Sequence, residues 1–116
     1  MSMAFVYITT RDREEAARIA RVLLQERLVA CVNVLGEVDS YFSWQGQVQN
    51  EGEVVCFAKT RETLVPEVTE TVQNIHSYSC PCVVALPIAG GNPEFLAWIE
   101  DSTRNPGPSQ EPKEYL

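Results

Sequence analysis

Val29-Ala30-Cys31-Val32-Asn33-Val34-Leu35-Gly36-Glu37-Val38-Asp39-Ser40-Tyr41-Phe42-Ser43-Trp44 leads through Gln45-Gly46-Gln47 into a second apolar stretch from Val48 to Lys59. β-Branched and aromatic residues dominate both arms, and Gln45-Gly46-Gln47 is a turn candidate, so the arms are expected to pair as a hairpin. Strand two then spans Val29 to Trp44 and strand three Val48 to Lys59, strongest from Glu53 onward. Gly36 inside strand two marks a bulge or bend. In strand three Val54, Cys56 and Ala58 face one way while Val55 and Phe57 face the other. In strand two Ala30, Val32 and Val34 oppose Val29, Cys31 and Leu35. An open antiparallel sheet normally alternates apolar and polar positions. Here both faces want burial. A subunit partner, or a helix or tail of the same chain, would cover the second face, and oligomerisation is the expectation preferred.

On the N-terminal side, Met3 to Thr9 reads as strand one. Asp12 and Glu15 have capping-box-like spacing, and Ala16, Ile19, Ala20, Leu23 and Leu24 follow at helical spacing, giving a first helix from Arg13 to Arg27. After strand three, Thr60 is expected to cap a second helix with the stripe Leu64, Val65, Val68, Val72 and Ile75, stopping near His76; Pro66 falls in its tolerant first turn. A fourth strand covers Cys82 to Ala89, interrupted by Pro87. Asn92 and Pro93 then open a short helix carrying Phe95, Leu96, Trp98 and Ile99. The order β-α-β-β-α-β-α predicts one α+β domain over residues 1–102, ferredoxin-like with an additional C-terminal helix, followed by a polar, Pro-rich tail over 103–116.

The 116 residues suit a single domain. Sixteen acidic against nine basic residues give a net charge of −7, which argues against a nucleic-acid partner or an anionic membrane surface. No stretch approaches about 18 apolar residues, so no membrane span is expected. The start of the chain carries no export signal pattern, which makes the cytoplasm the expected compartment, where stable disulfides are unusual.

The most unusual segment is His76-Ser77-Tyr78-Ser79-Cys80-Pro81-Cys82. One imidazole and two thiols within seven positions suit a soft metal, Cu(I) or Zn(II), so His76, Cys80 and Cys82 are the candidate ligands. The competing interpretation makes His76 a helix end and both cysteines small core residues. Cys31 and Cys56 lie within strands, where thiols usually pack. The pairs Glu14-Glu15, Glu51 with Glu53, and Glu100-Asp101 look like helix ends or strand edges rather than an acid/base pair. No nucleophile elbow, phosphate loop or dinucleotide fingerprint is present, and no enzymatic activity is expected. Tyr41, Phe42 and Trp44 form an aromatic run at the hairpin tip, suited to stacking a ligand or, with Trp98, to packing between subunits. Lys59 is a lone cation ending an apolar strand, able to hold an anion or salt bridge or to reach solvent.

These residues resemble a known family. Val6-Tyr7-Ile8-Thr9-Thr10, Ala30-Cys31-Val32-Asn33-Val34, Ser40-Tyr41-Phe42-Ser43-Trp44-Gln45-Gly46, Lys59-Thr60, Leu86-Pro87-Ile88 and Gly91-Asn92-Pro93-Glu94-Phe95-Leu96-Ala97-Trp98-Ile99 resemble the CutA family of divalent-cation tolerance proteins. The resemblance implies a ferredoxin-like fold, a tight homotrimer with sheets packed between subunits, and similarity to the trimeric PII signalling proteins. It implies a role in tolerance of copper or another divalent metal ion, and it does not imply an enzymatic activity. One departure stands out: where the family pattern has His-Pro-Tyr, two variable positions and Pro-Glu, this chain has Ser77 for the first proline and Cys82 for the glutamate. If that glutamate binds a hard cation in relatives, sulfur here favours softer metals. The alternative function is a PII-like signalling or adaptor module binding a small anion or a protein at clefts between subunits, where Cys31, Trp44, Lys59 and Tyr78 are the candidate residues. A purely structural or interaction protein is the third option.

Overall fold

The computed structural model describes residues 2–106. Its elements are β1 (Met3–Thr10), α1 (Arg13–Gln25), β2 (Cys31–Trp44), β3 (Gln47–Arg61), α2 (Val65–Ile75), β4 (Val83–Pro87) and α3 (Pro93–Ser102), with a 3₁₀ turn at Glu62–Leu64. The four strands form one antiparallel sheet in the order β2-β3-β1-β4. This is the ferredoxin-like arrangement, with α3 added at the C-terminal end. Within the tail expected over 103–116, residues 103–106 are described and residues 107–116 lie outside the described part.

The core lies between α1, α2 and one sheet face. Val6 and Ile8 from β1 and Val54, Cys56 and Ala58 from β3 meet Ala16, Ile19 and Leu23 of α1 and Val68 and Val72 of α2, all of them buried. A second small cluster, Met3, Ala30 and Ile99 with Ile88 and Leu96 against it, docks α3 at one end of the sheet. On the opposite sheet face α3 packs against Met3 at one end, and among the described residues no helix covers the rest of that face. Phe5, Tyr7 and Phe57 line it, with Phe57 4.6 Å from Phe5 and 5.7 Å from Tyr7 between ring centroids. Beside them on β4, Val84 and Leu86 are 53% and 58% exposed.

The hairpin turn falls at Gln45-Gly46, with φ of 51° and 78°. Positive φ at both central residues is what a type I′ turn requires, and Gly46 supplies one of them without steric cost. The expected irregularity at Gly36 is a bulge: Val34 pairs with Cys56 and Glu37 with Val54, so β2 carries one extra residue. Side chains alternate across a strand, so one extra residue exchanges the two faces. Before the bulge the even-numbered Val32 packs into the core. After it, Val38, Ser40 and Phe42 pair with Glu53, Glu51 and Gln49, on the open face.

Three local expectations change. The first helix stops at Gln25 rather than Arg27, because Arg27 takes φ 56° while Leu28 N donates to Leu23 O and Arg27 N to Leu24 O. That is a Schellman closure built on arginine instead of glycine. Thr60 does not cap the second helix. It sits in β3 opposite Ala4 and its buried hydroxyl donates to Leu28 O, so the chain enters α2 through the 3₁₀ turn. The fourth strand ends at Pro87 on the sheet edge, where a missing N–H is tolerated.

Arg61, buried at the end of β3, fastens α3. Its Nε donates to Thr103 Oγ1 (2.9 Å), and its Nη2 donates to Glu100 O (2.7 Å) and Thr103 O (2.9 Å). A cation among the last carbonyls of a helix also complements the helix dipole. Arg61→Met should therefore cost about 3 kcal/mol of stability in urea unfolding. A loss under about 1 kcal/mol would mean that apolar contacts alone hold α3.

Candidate functional site

The segment after α2 is held by a buried carboxylate. Asp12 caps α1 by accepting from Glu15 N at 2.8 Å. The Glu15 side chain is buried and accepts from Arg11 N (2.9 Å) and from Ser77 N (2.7 Å), which lies 62 residues away. Burial pushes the Glu15 acidity toward the neutral form, but the Arg11 and Ser77 hydrogen bonds outweigh it, and the carboxyl titrates below its ordinary value. His76 reinforces this anchor. Its Nε2 bonds Thr9 O at 2.8 Å and its Nδ1 accepts from Tyr78 N at 3.0 Å, which assigns the proton to Nε2.

This anchoring places Tyr78 against the hairpin. Its hydroxyl donates to Glu53 Oε2 at 2.9 Å. Burial first, then the hydrogen bond and charge of Glu53, keep Tyr78 a neutral phenol by raising its pKa. Between the 76–82 segment and the open sheet face lies a cleft of about 580 Å³. Ser40, Phe42 and Trp44 line it from β2, Gln49, Glu51 and Glu53 from β3, and Tyr7 and Thr9 from β1. Tyr78, Ser79, Cys80 and Cys82 close the remaining side.

The sequence-derived residues distribute unevenly around this cleft. Cys80 and Cys82 both line it, the first exposed and the second half-buried. Burial and then the Glu53 charge push the Cys82 thiol up, against a hydrogen bond with Thr9. His76 does not join the two thiols in an assembled metal site. Its side chain is buried with both ring nitrogens engaged by backbone, and among the described residues no three His, Cys, Asp or Glu side chains form a metal-binding group. Trp44 and Tyr78 share the cleft, whereas Cys31 and Lys59 do not line it. They pair with each other across β2 and β3. Lys59 Nζ donates to Asn33 Oδ1 (2.7 Å), lies 3.8 Å from Cys31 Sγ and sits over the Phe5 ring. Cys56 is a core residue whose thiol burial pushes up to about 11.

Glu15, Glu51 and Glu53 carry more of the site than their appearance as helix-end and strand-edge carboxylates suggested. The signal for Glu51 and Glu53 lay in the parity change at Gly36, which turns the Phe42 and Trp44 face toward them.

A family model described as the CutA1 divalent ion tolerance protein matches residues 4–102. The chain belongs to the CutA1 family. Among curated relatives of this family, the chloroplastic protein CutA of Arabidopsis thaliana is 42% identical over 100 residues, 86% of this chain and 55% of the relative. The chain thus spans little more than half of that protein. The divalent-cation tolerance protein CutA of Archaeoglobus fulgidus is 43% identical over 98 residues, 84% of this chain and 95% of the relative. The crystal structure of CutA1 from Oryza sativa superposes with a TM-score of 0.87 at 40% identity, covering 90% of this chain and 95% of that one. The family resemblance and the ferredoxin-like fold drawn from the sequence are both borne out.

Because Glu15 titrates below its ordinary value of 4.5, it stabilises the fold above that pH and the stabilisation is lost as pH falls through its folded value. Glu15→Gln is expected to lose about 1–3 kcal/mol at neutral pH and to show a flatter fall in stability toward acid. Urea midpoints measured from about pH 6 to about pH 3 check this, and parallel profiles for the two proteins would refute it.

Proposed function

We propose that this chain acts in divalent-cation tolerance as a non-enzymatic cytoplasmic homotrimer that holds copper through Cys80 and Cys82. The observation that carries the metal assignment is the placement of both thiols on one cleft. Thiolate donors suit a soft ion such as Cu(I), and relatives of this chain are named divalent-cation tolerance proteins. His76 is left out of the ligand set because its nitrogens are engaged. The metal must displace the proton that burial holds on Cys82, so affinity rises with pH. The described cysteines are all unbridged, in keeping with a reducing compartment.

The open sheet face supports assembly. Phe5, Tyr7, Phe57, Val84 and Leu86 form a contiguous apolar surface of the kind that marks an interface. The threefold count comes from the family resemblance. Leu86→Glu places an uncompensated charge in that surface. Sedimentation should show a trimer for the parent chain and a monomer with unchanged far-UV dichroism for the variant. A parent chain that sediments as a monomer at micromolar concentration ends the trimer proposal.

Copper binding is tested by titrating the reduced protein with Cu(I) against a competing chelator. The parent should outcompete a Cys80→Ser/Cys82→Ser variant, with an advantage that grows with pH. Equal affinities would remove the two thiols as ligands.

A further inference from the structure

We propose that the cleft bounded by Trp44, Tyr78, Glu51 and Glu53 binds an organic cation, specifically a guanidinium group. The proposal uses atoms other than the two thiols and stands apart from the copper assignment. Among the described residues, no Lys, Arg or His side chain lines the cleft. Glu51 and Glu53 lie two residues apart on the same face of β3, and among the described residues neither is ion-paired. The Tyr78 hydroxyl holds Glu53 Oε2, which fixes that carboxylate at the cleft wall.

The remaining walls decide which cation fits. Tyr7, Phe42, Trp44 and Tyr78 present aromatic rings, whose faces attract a weakly hydrated cation. A hard, strongly hydrated divalent ion gains little from such walls, and among the described residues no three-donor group converges there for it. A neutral apolar ligand would strip water from two carboxylates without replacing it. A guanidinium ion satisfies both kinds of wall: its plane stacks on aromatic rings and its N–H edge donates to carboxylates. It is also more weakly hydrated than a primary ammonium, and unlike a quaternary ammonium it has N–H groups to give the carboxylates.

The source of the group is either a free small molecule or an arginine side chain of a second copy. Both are tested on the metal-free Cys80→Ser/Cys82→Ser protein, so that a failure of copper binding leaves the result unaffected. Ethylguanidinium is titrated by calorimetry and by Trp44 fluorescence, with ethylurea as its uncharged isostere. Ethylguanidinium is expected to bind saturably and to change Trp44 emission, while ethylurea does neither. Adding Glu51→Gln/Glu53→Gln should weaken binding about tenfold or more, as should Trp44→Leu measured by calorimetry. The two carboxamides keep the shape of the carboxylates they replace, Trp44→Leu shortens an exposed side chain at the hairpin tip, and circular dichroism confirms that each variant is folded. If the carboxamide variant also loses self-association in sedimentation, the natural occupant is an arginine of a second copy; if assembly is unchanged, it is a free ligand. No saturable binding, equal binding of ethylurea, or unchanged affinity in the carboxamide variant overturns the proposal.

Discussion

A strand that gains one residue against its neighbour must exchange its two faces, and β2 does so between Val34 and Glu37. Without the extra residue, Phe42 and Trp44 would project toward the helix-covered side of the sheet, past the end of the core. With it, they stand on the same face as Tyr7, Thr9, Glu51 and Glu53. The cleft exists because of that exchange. The long hairpin is therefore two structures in succession. Its first half packs on α1 and α2, and its second half carries a polar and aromatic surface beyond the core.

The second requirement is that something face this surface, and buried electrostatics provides it. Glu15 is held in the interior by two backbone N–H groups, one of them from Ser77. A buried carboxylate with such donors is stable only while both remain in place, so the anchor and the 76–82 segment order each other. His76 adds two further backbone bonds in the same place. The consequence runs outward: Tyr78 is delivered to Glu53, and Cys80 and Cys82 follow along the cleft.

The imidazole shows how a sequence cluster divides once it folds. His76, Cys80 and Cys82 look like one set of ligands because they share a short segment. In three dimensions the histidine points inward to Thr9 and the thiols remain at the cleft. Chain proximity could not separate these roles, because they depend on the Thr9 carbonyl of β1 and the Glu15 carboxylate of α1. Cys31 and Lys59 divide from Trp44 and Tyr78 for a related reason. All four lie on the open face or its rim, but Lys59 is drawn to Asn33 and Phe5 at the other end of the sheet.

Periodicity and turn chemistry were enough to determine the elements and their order. Runs of β-branched and aromatic residues marked the strands, Gln45-Gly46 the turn, Asp12 and Asn92 the helix starts, and two apolar sheet faces the surface that awaits a partner. These features are local, set by a few neighbouring residues and the pleat or helical repeat. What required tertiary structure was anything settled by a distant partner: Thr60 as a strand residue bonded to Leu28, Arg27 as a helix stop without glycine, Glu15 as the anchor of Ser77. The Gly36 bulge was legible as an irregularity, yet its effect on the site was not. Which face Phe42 and Trp44 occupy depends on the register of β2 against β3, and register is a property of the pair of strands rather than of either one.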